Sequence, residues 1–310
     1  MALLGGILPV LSTPFDARDD VDFDALGSEI DWLLAIGADG VTVAMVSEIL
    51  RLDADERRRV GEFVVEAVAG RASVVLSAGA ESTKQSVRLA EHAATVGATA
   101  IMVNPPLNTM ADSRSLTTYF RTVADATGEF PIIVQDASGY VGAPIPLDVL
   151  VGLLDEFGPV KIQFKPEAEP LGPRLTELLR ATDGTARVFE GSGGRNLIES
   201  HRRGIVGTMP GSDLVFAIVA IWRAIESGDA EAAYRVQEGV VPILSLVASL
   251  DSYVAVEKHL LRLQGVFPSA RQRGPVQYTL DDMAVAELER LFARLTVIVS
   301  GLETADARRA

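Results

Sequence analysis

The chain has no cysteine, so disulfides, thiolate metal sites and a cysteine nucleophile are excluded together. Its three histidines, His92, His201 and His259, stand far apart with no paired ligand spacing, and no bound metal is expected. No apolar run is long enough to span a bilayer without charges or breakers. Met1 to Gly6 has neither the basic region nor the apolar core of a signal peptide, so the expected compartment is the cytoplasm. Basic residues are in short supply too, with 28 Lys and Arg against 42 Asp and Glu and a net charge of −14, which would repel nucleic acid and anionic membrane. The one basic cluster, Arg57-Arg58-Arg59, lies inside an acidic helix and reads as a solvated face. No Gly-x-Gly-x-x-Gly follows the first strand, which disfavours a dinucleotide fold.

What is present is a repeated unit. The 310 residues are 48% apolar, ample for a core, and exceed the roughly 200–250 residues that one α/β barrel uses. Apolar, β-branched runs at Ile7 to Leu11, Gly40 to Val46, Ser73 to Leu76, Ala100 to Val103, Pro131 to Gln135, Val160 to Lys165, Val188 to Glu190 and Ile205 to Met209 read as strands. Between them, apolar residues recur at helical spacing. Asp53 with Glu56, and Ser82 with Gln85, have the spacing of helix N-terminal caps. The phrase Ile36-Gly37-Ala38-Asp39-Gly40-Val41 is echoed by Val96-Gly97-Ala98-Thr99-Ala100-Ile101 at the same step of the unit. About eight such units predict a closed (β/α)₈ barrel of the TIM type over residues 1–227, rather than an open doubly wound sheet. Beyond Gly228 the alternation stops, and 228–310 is expected to be a C-terminal helical extension that shields the site or makes subunit contacts, frayed from Thr304 to Ala310.

The sixth strand organises the chemistry. Side chains alternate along a strand, so Val160, Ile162 and Phe164 share one face, suited to packing under helices, while Lys161, Gln163 and Lys165 share the other, facing the barrel interior. Barrel enzymes keep their sites at the carboxyl ends of the strands, and Lys165 alone stands at that end. An amine there is a candidate nucleophile toward a carbonyl, although a salt-bridged or snorkelling lysine fits the strand equally well.

The other strand ends add polar groups. Strand two delivers Val46, Ser47 and Glu48; the Ser47 hydroxyl and nearby backbone N–H groups are donors for a substrate carboxylate, and Glu48 is a candidate acid or base. Strand five ends in Gln135-Asp136, one of which points inward. Strand seven ends in Glu190 and a run of Gly191-Ser192-Gly193-Gly194, which suits a phosphate cradle or a close approach of substrate to backbone. Strand eight ends in Met209, a pocket wall.

These residues resemble the dihydrodipicolinate synthase / N-acetylneuraminate lyase family of Schiff-base barrels. The resemblance covers nearly the whole chain and rests on Thr13-Pro14-Phe15, Ser47-Glu48 with Leu52 and Glu56-Arg57, Asn104-Pro105-Pro106, the lysine strand, Glu190-Gly191 and the C-terminal helices. It implies that Lys165 forms an imine with a 2-oxo acid, that no metal or organic cofactor is used, and that the protein is a homo-oligomer, tetramer or dimer. The departures are specific. Ala44-Met45-Val46-Ser47-Glu48 replaces Gly-Thr-Thr-Gly-Glu, Gln135 stands where the proton-shuttling tyrosine is usual, and Tyr140 stands where the synthase has a substrate-binding arginine. The set Ser47-Glu48, Val134-Gln135-Asp136-Ala137, Phe164-Lys165 and Glu190-Gly191 is more similar to the 2-keto-3-deoxyarabonate dehydratase branch.

The expected activity is therefore dehydration of a 2-keto-3-deoxy sugar acid through an imine on Lys165. The base is Glu48, Tyr140 or a water held by Gln135, and Val46, Ser47, Gly191 and Met209 contact the substrate. A pyruvate-dependent aldolase and a non-catalytic sugar-acid-binding barrel are the alternatives.

Overall fold

The computed structural model describes residues 3–109 and 111–307. Eight strands alternate with eight helices: β1 (Gly6–Ile7), α1 (Phe23–Ile36), β2 (Gly40–Val43), α2 (Ala54–Val68), β3 (Ser73–Ser77), α3 (Thr83–Val96), β4 (Ala100–Val103), α4 (Ser113–Ala126), β5 (Ile132–Asp136), α5 (Leu147–Lys161), β6 (Ile162–Pro166), α6 (Leu171–Ala181), β7 (Phe189–Glu190), α7 (Leu197–Arg202), β8 (Gly207–Thr208) and α8 (Val215–Glu226). Helices α9 (Ala230–Leu244), α10 (Leu250–Leu263) and α11 (Asp282–Ala307) follow. All strand pairs are parallel, in the orders β2-β3-β4-β5-β6 and β7-β8-β1. Single bridges from Val10 to Thr42 and from Phe164 to Val188 join the two arcs, so the sheet closes into the (β/α)₈ ring.

Two apolar layers follow from the alternation. Leu8, Val10, Val75, Met102, Ile133, Phe189 and Met209 fill the inside of the barrel, whereas Val41, Ile101, Ile132, Ile162 and Phe164 pack outward against the helices. The capping spacings are realised as well. Asp53 accepts from the Glu56 N–H at 2.8 Å while Glu56 accepts from the Asp53 N–H at 3.0 Å, and Ser82 Oγ accepts from the Gln85 N–H at 3.1 Å. Each such cap stabilises its helix by about 1 kcal/mol. The echoed phrase has a physical cause. Gly37 and Gly97 both end helices at φ of 111° and 89°, a conformation that a Cβ would strain.

Strand six departs from the sequence reading at its start. Gly158 (φ 76°) breaks the end of α5, and the chain reaches extended geometry only at Ile162. Val160 is consequently 54% exposed. Lys161 does not face the barrel interior; its Nζ donates to the Ala124 carbonyl at the end of α4 at 2.7 Å and lies over the Phe157 ring. At the other end of the chain, α11 continues through Thr304 to Ala307, beyond the point where fraying was expected, and 308–310 lie outside the described residues. No helix among the described residues is long and apolar enough to cross a membrane.

Candidate active site

The carboxyl ends of β5 and β6 set the central residues side by side. Their register pairs Ile133 with Gln163 and Gln135 with Lys165, and Ile133 belongs to the inner layer, so Gln135 and Lys165 point inward together. Of the two candidates at the end of β5, Gln135 is thus the inward one. Asp136 faces away and holds the following loop, accepting from the Ile145 N–H at 3.0 Å and the Ser138 N–H at 3.1 Å.

The strand does not stop at Pro166. The Glu167 N–H donates to the Asp136 carbonyl at 2.9 Å, which continues the ladder by one step. Period two then returns Glu167 to the face of Lys165. Lys165 Nζ donates to Glu167 Oε1 at 2.6 Å and Gln135 Nε2 donates to Oε2 at 3.0 Å. The side chains of Lys165 and Glu167 are 5% and 6% exposed. Burial pushes the Glu167 carboxyl above the ordinary carboxylate range, against the downward pull of the Lys165 charge and of the bonds from Lys165 and Gln135. Glu167 is not among the sequence candidates because a proline reads as the end of a strand; the alternation continued one step past Pro166 reaches it.

A small pocket opens over this trio, lined also by Val10, Ala44, Met45, Val46, Ala137, Tyr140 and Leu250. The Tyr140 ring stands edge-on to Tyr253 at 6.0 Å, and burial together with the Glu167 charge raises its hydroxyl well above the usual phenol range. Gly191 closes one side. A Cβ there would lie 2.8 Å from Glu167 Cγ and 3.0 Å from Lys165 Cε, so only glycine lets the β7 loop come this close. Its neighbour Glu190 holds that loop, accepting from the Ser192 N–H at 2.7 Å and from Thr208 Oγ1 at 2.8 Å.

The remaining sequence candidates sit behind this wall. Ser47 Oγ donates to the Leu11 carbonyl at 2.5 Å and accepts from the Ala44 N–H at 3.1 Å, so its hydroxyl is already engaged. It closes a short 3₁₀ turn, Met45–Ser47, whose first N–H groups have no intrahelical acceptor and whose Met45 and Val46 line the pocket. Glu48 is fully buried in an ion pair with Lys258, with Arg51 at 3.6 Å and the Arg273 N–H at 3.2 Å, and it does not line the cavity. Met209 belongs to the inner apolar layer beneath. Thr13-Pro14-Phe15 supports the same turn: Thr13 Oγ1 donates to the Ser47 carbonyl at 2.6 Å, and the Phe15 ring carries Lys258 and Arg273 at 4.4 and 4.3 Å.

Comparison with known proteins agrees with this architecture. The model of the dihydrodipicolinate synthetase family matches residues 3–293. A 4-hydroxy-tetrahydrodipicolinate synthase of Oceanobacillus iheyensis is 28% identical over 284 residues, covering 90% of this chain and 93% of that protein. An uncharacterised DapA-like lyase of Halobacterium salinarum is 30% identical over 303 residues, 95% of each chain. Among solved structures, a prophage protein of the dihydrodipicolinic acid synthase family from E. coli K12, crystallised with pyruvate, superposes with a TM-score of 0.85 at 24% identity, covering 95% of this chain and 99% of that one. The dihydrodipicolinate synthase of Aquifex aeolicus gives 0.84 at 23% identity, over 94% and 98%. These structures share the fold.

Proposed function

The chain belongs to the dihydrodipicolinate synthetase family and is a lyase of the imine-forming kind, and from that premise we propose that it dehydrates a 2-keto-3-deoxy sugar acid. The observation that carries this reading is the buried Glu167 carboxylate on the Lys165 amine, 2.6 Å away, at a strand end where Gln135 supplies an amide and no ionisable phenol.

The pair solves two problems in turn. An amine that keeps its proton cannot attack a carbonyl, and Glu167, raised by burial, is a ready acceptor for that proton. Lys165 then adds to C2 of the 2-oxo acid, Glu167 returns the proton to the carbinolamine hydroxyl, and loss of that water leaves a protonated imine. The imine draws electrons from C3. Glu167, ionised again, removes a C3 proton, since C3 lies two bonds from the nitrogen it already touches. The enamine electrons return to expel the C4 hydroxyl, which takes the proton back from Glu167 and leaves as water. Hydrolysis of the conjugated imine frees Lys165 and an unsaturated 2-oxo acid with its carbon chain intact. The Met45 and Val46 N–H groups would hold the substrate carboxylate, and Gln135 would keep Glu167 aimed.

A screen of 2-keto-3-deoxy acids with mass-spectrometric readout tests the proposal. Loss of one water from an intact carbon chain is the expected result. Pyruvate plus an aldehyde would instead make the protein an aldolase on the same lysine. The same reading carries a cytoplasmic homo-oligomer, tetramer or dimer, which sedimentation and cell fractionation check.

A further inference from the structure

We propose that α10, from the C-terminal extension, sets the length and charge of the acid that the site accepts, with Leu250 as the distal wall and Tyr253 as the residue that positions Tyr140. This rests on the reading of Lys165 as the imine-forming residue. The accepted acid is a short monocarboxylate.

The first argument is how tightly the helix is held. Every residue of α10 from Asp251 to Leu261 is buried. Tyr253 Oη accepts from the Gly211 N–H at 3.0 Å, and Glu257 accepts from the Ser212 N–H at 3.0 Å, both on the loop after β8. Lys258 is ion-paired with Glu48 beyond β2. Gly211 is required for this docking, because a Cβ there would lie 2.6 Å from Tyr253 Oη. A helix stapled to two strand ends cannot swing aside as a lid does, so Leu250, half-buried at its first turn, stays where it is over the cavity.

The second argument is the chemistry of the lining. The polar side chains, Gln135, Tyr140, Lys165 and Glu167, cluster at the carbonyl end, while Leu250 and Ala137 offer no hydrogen bonds. Each further hydroxyl of a longer sugar acid would lose its water without a replacement partner, which is the strongest ground on which sites reject polar analogues. Among the described residues the lining holds no cation other than Lys165, whose imine lies at C2, so a second carboxylate at the far end of the substrate would be desolvated unpaired.

Borohydride trapping over a length series tests this independently of the reaction that follows imine formation. With pyruvate and with five- and six-carbon 2-keto-3-deoxy monocarboxylates and a six-carbon dicarboxylate, adduct formation on the unmodified protein should favour the five-carbon acid over both six-carbon acids by at least about tenfold. Leu250→Ala should shrink the gap between the two monocarboxylates and Leu250→Phe should widen it, each compared as a ratio within one protein so that general damage cancels. Tyr253→Phe should raise KM for the five-carbon acid more than it lowers kcat, whereas a merely structural role would move only the melting temperature. Equal trapping of five- and six-carbon acids, or a ratio that ignores both Leu250 substitutions, overturns the proposal. Failure to trap even pyruvate would instead remove the imine reading beneath it.

Discussion

Lys165 and Glu167 stand two residues apart on one strand face, with Nζ 2.6 Å from Oε1, and the adjacent strand aims Gln135 at the other carboxylate oxygen. An amine and a carboxylate in contact with it are thus delivered by a single stretch of chain, without a residue from another loop.

The first prediction is which lysine reacts. Borohydride with pyruvate should add mass to the peptide bearing Lys165 and leave Lys161 unmodified, because Lys161 Nζ is tied to the Ala124 carbonyl below the helices. Lys165→Ala should abolish turnover and keep the circular dichroism of the barrel. Adduct on Lys161 would remove the mechanism.

Glu167 should act in both steps and weigh more on turnover than on imine formation. Glu167→Gln keeps the shape but not the base, and kcat should fall roughly 10²–10⁴-fold, while an adduct with pyruvate forms more slowly under borohydride but still on Lys165. Because burial holds this carboxyl above its ordinary value of 4.5, turnover of the unmodified enzyme should rise with pH through an apparent pKa above that value, and the rising limb should vanish in Glu167→Gln. A variant with full activity would return the search to Tyr140.

Much of this was legible in the chain, and the failures are local. The strand count, the capped helices and the inward Lys165 follow from periodicities and cap chemistry that short-range sterics enforce. Lys161 was misplaced because a single glycine, Gly158, delays the strand, and alternation says nothing about where a strand begins. Glu48 reads as a strand-end carboxylate, yet its partners Lys258 and Arg273 lie more than 200 positions away and come to it only through the fold. Leu250 was invisible for the same reason, since no local pattern says which turn of an added helix will face a barrel mouth.

Gln135 makes a narrower prediction. Its amide donates to Glu167 but cannot act as a base at neutral pH, so Gln135→Ala should slow turnover roughly 10–100-fold, the value of about 1.5–3 kcal/mol for a hydrogen bond to a charged group, and leave imine trapping intact. Gln135→Tyr should not create efficient aldol chemistry, because Val46 still lacks the hydroxyl that a relay would need. Single-turnover trapping compared with steady-state product release distinguishes the two effects. Unchanged turnover in Gln135→Ala would make this position pocket wall only.

Stability should depend on pH through a second buried group. Glu29 accepts from the Ser12 N–H at 2.9 Å and from Ser212 Oγ at 2.5 Å, and burial pushes its carboxyl from 4.5 up to about 8 despite those bonds and the Lys258 charge. Asp213 and Glu257, packed nearby, are raised as well. The native state then keeps a proton that the unfolded chain releases above about 4.5, so unfolding releases protons between the two values and stability falls as pH rises through about 8. The melting temperature should therefore drop from pH 5 to pH 9, and Glu29→Gln, which preserves an acceptor for both bonds, should flatten that slope. A slope unaltered by the substitution would mean that Asp213 or Glu257 carries it.

The last prediction concerns condensation of pyruvate with aspartate semialdehyde, the reaction of the synthase for which the family is named. That reaction needs a second carbonyl substrate to enter beside the enamine, a proton shuttle to its new hydroxyl and a cation for its own carboxylate. By resemblance to that synthase the shuttle positions fall on Val46 and Gln135, neither of which can pass a proton, and the arginine's position falls on Tyr140. Leu250 lines the pocket that remains, and among the described residues no cation besides Lys165 does. Imine formation with pyruvate should still proceed, so the enzyme should hold pyruvate and then fail at the second substrate. A coupled assay with both substrates should give no product above background, while borohydride trapping with pyruvate alone succeeds on the same preparation. Turnover of roughly 1 s⁻¹ or more would show that a water can replace the missing hydroxyl relay, and the dehydratase reading would lose its main support.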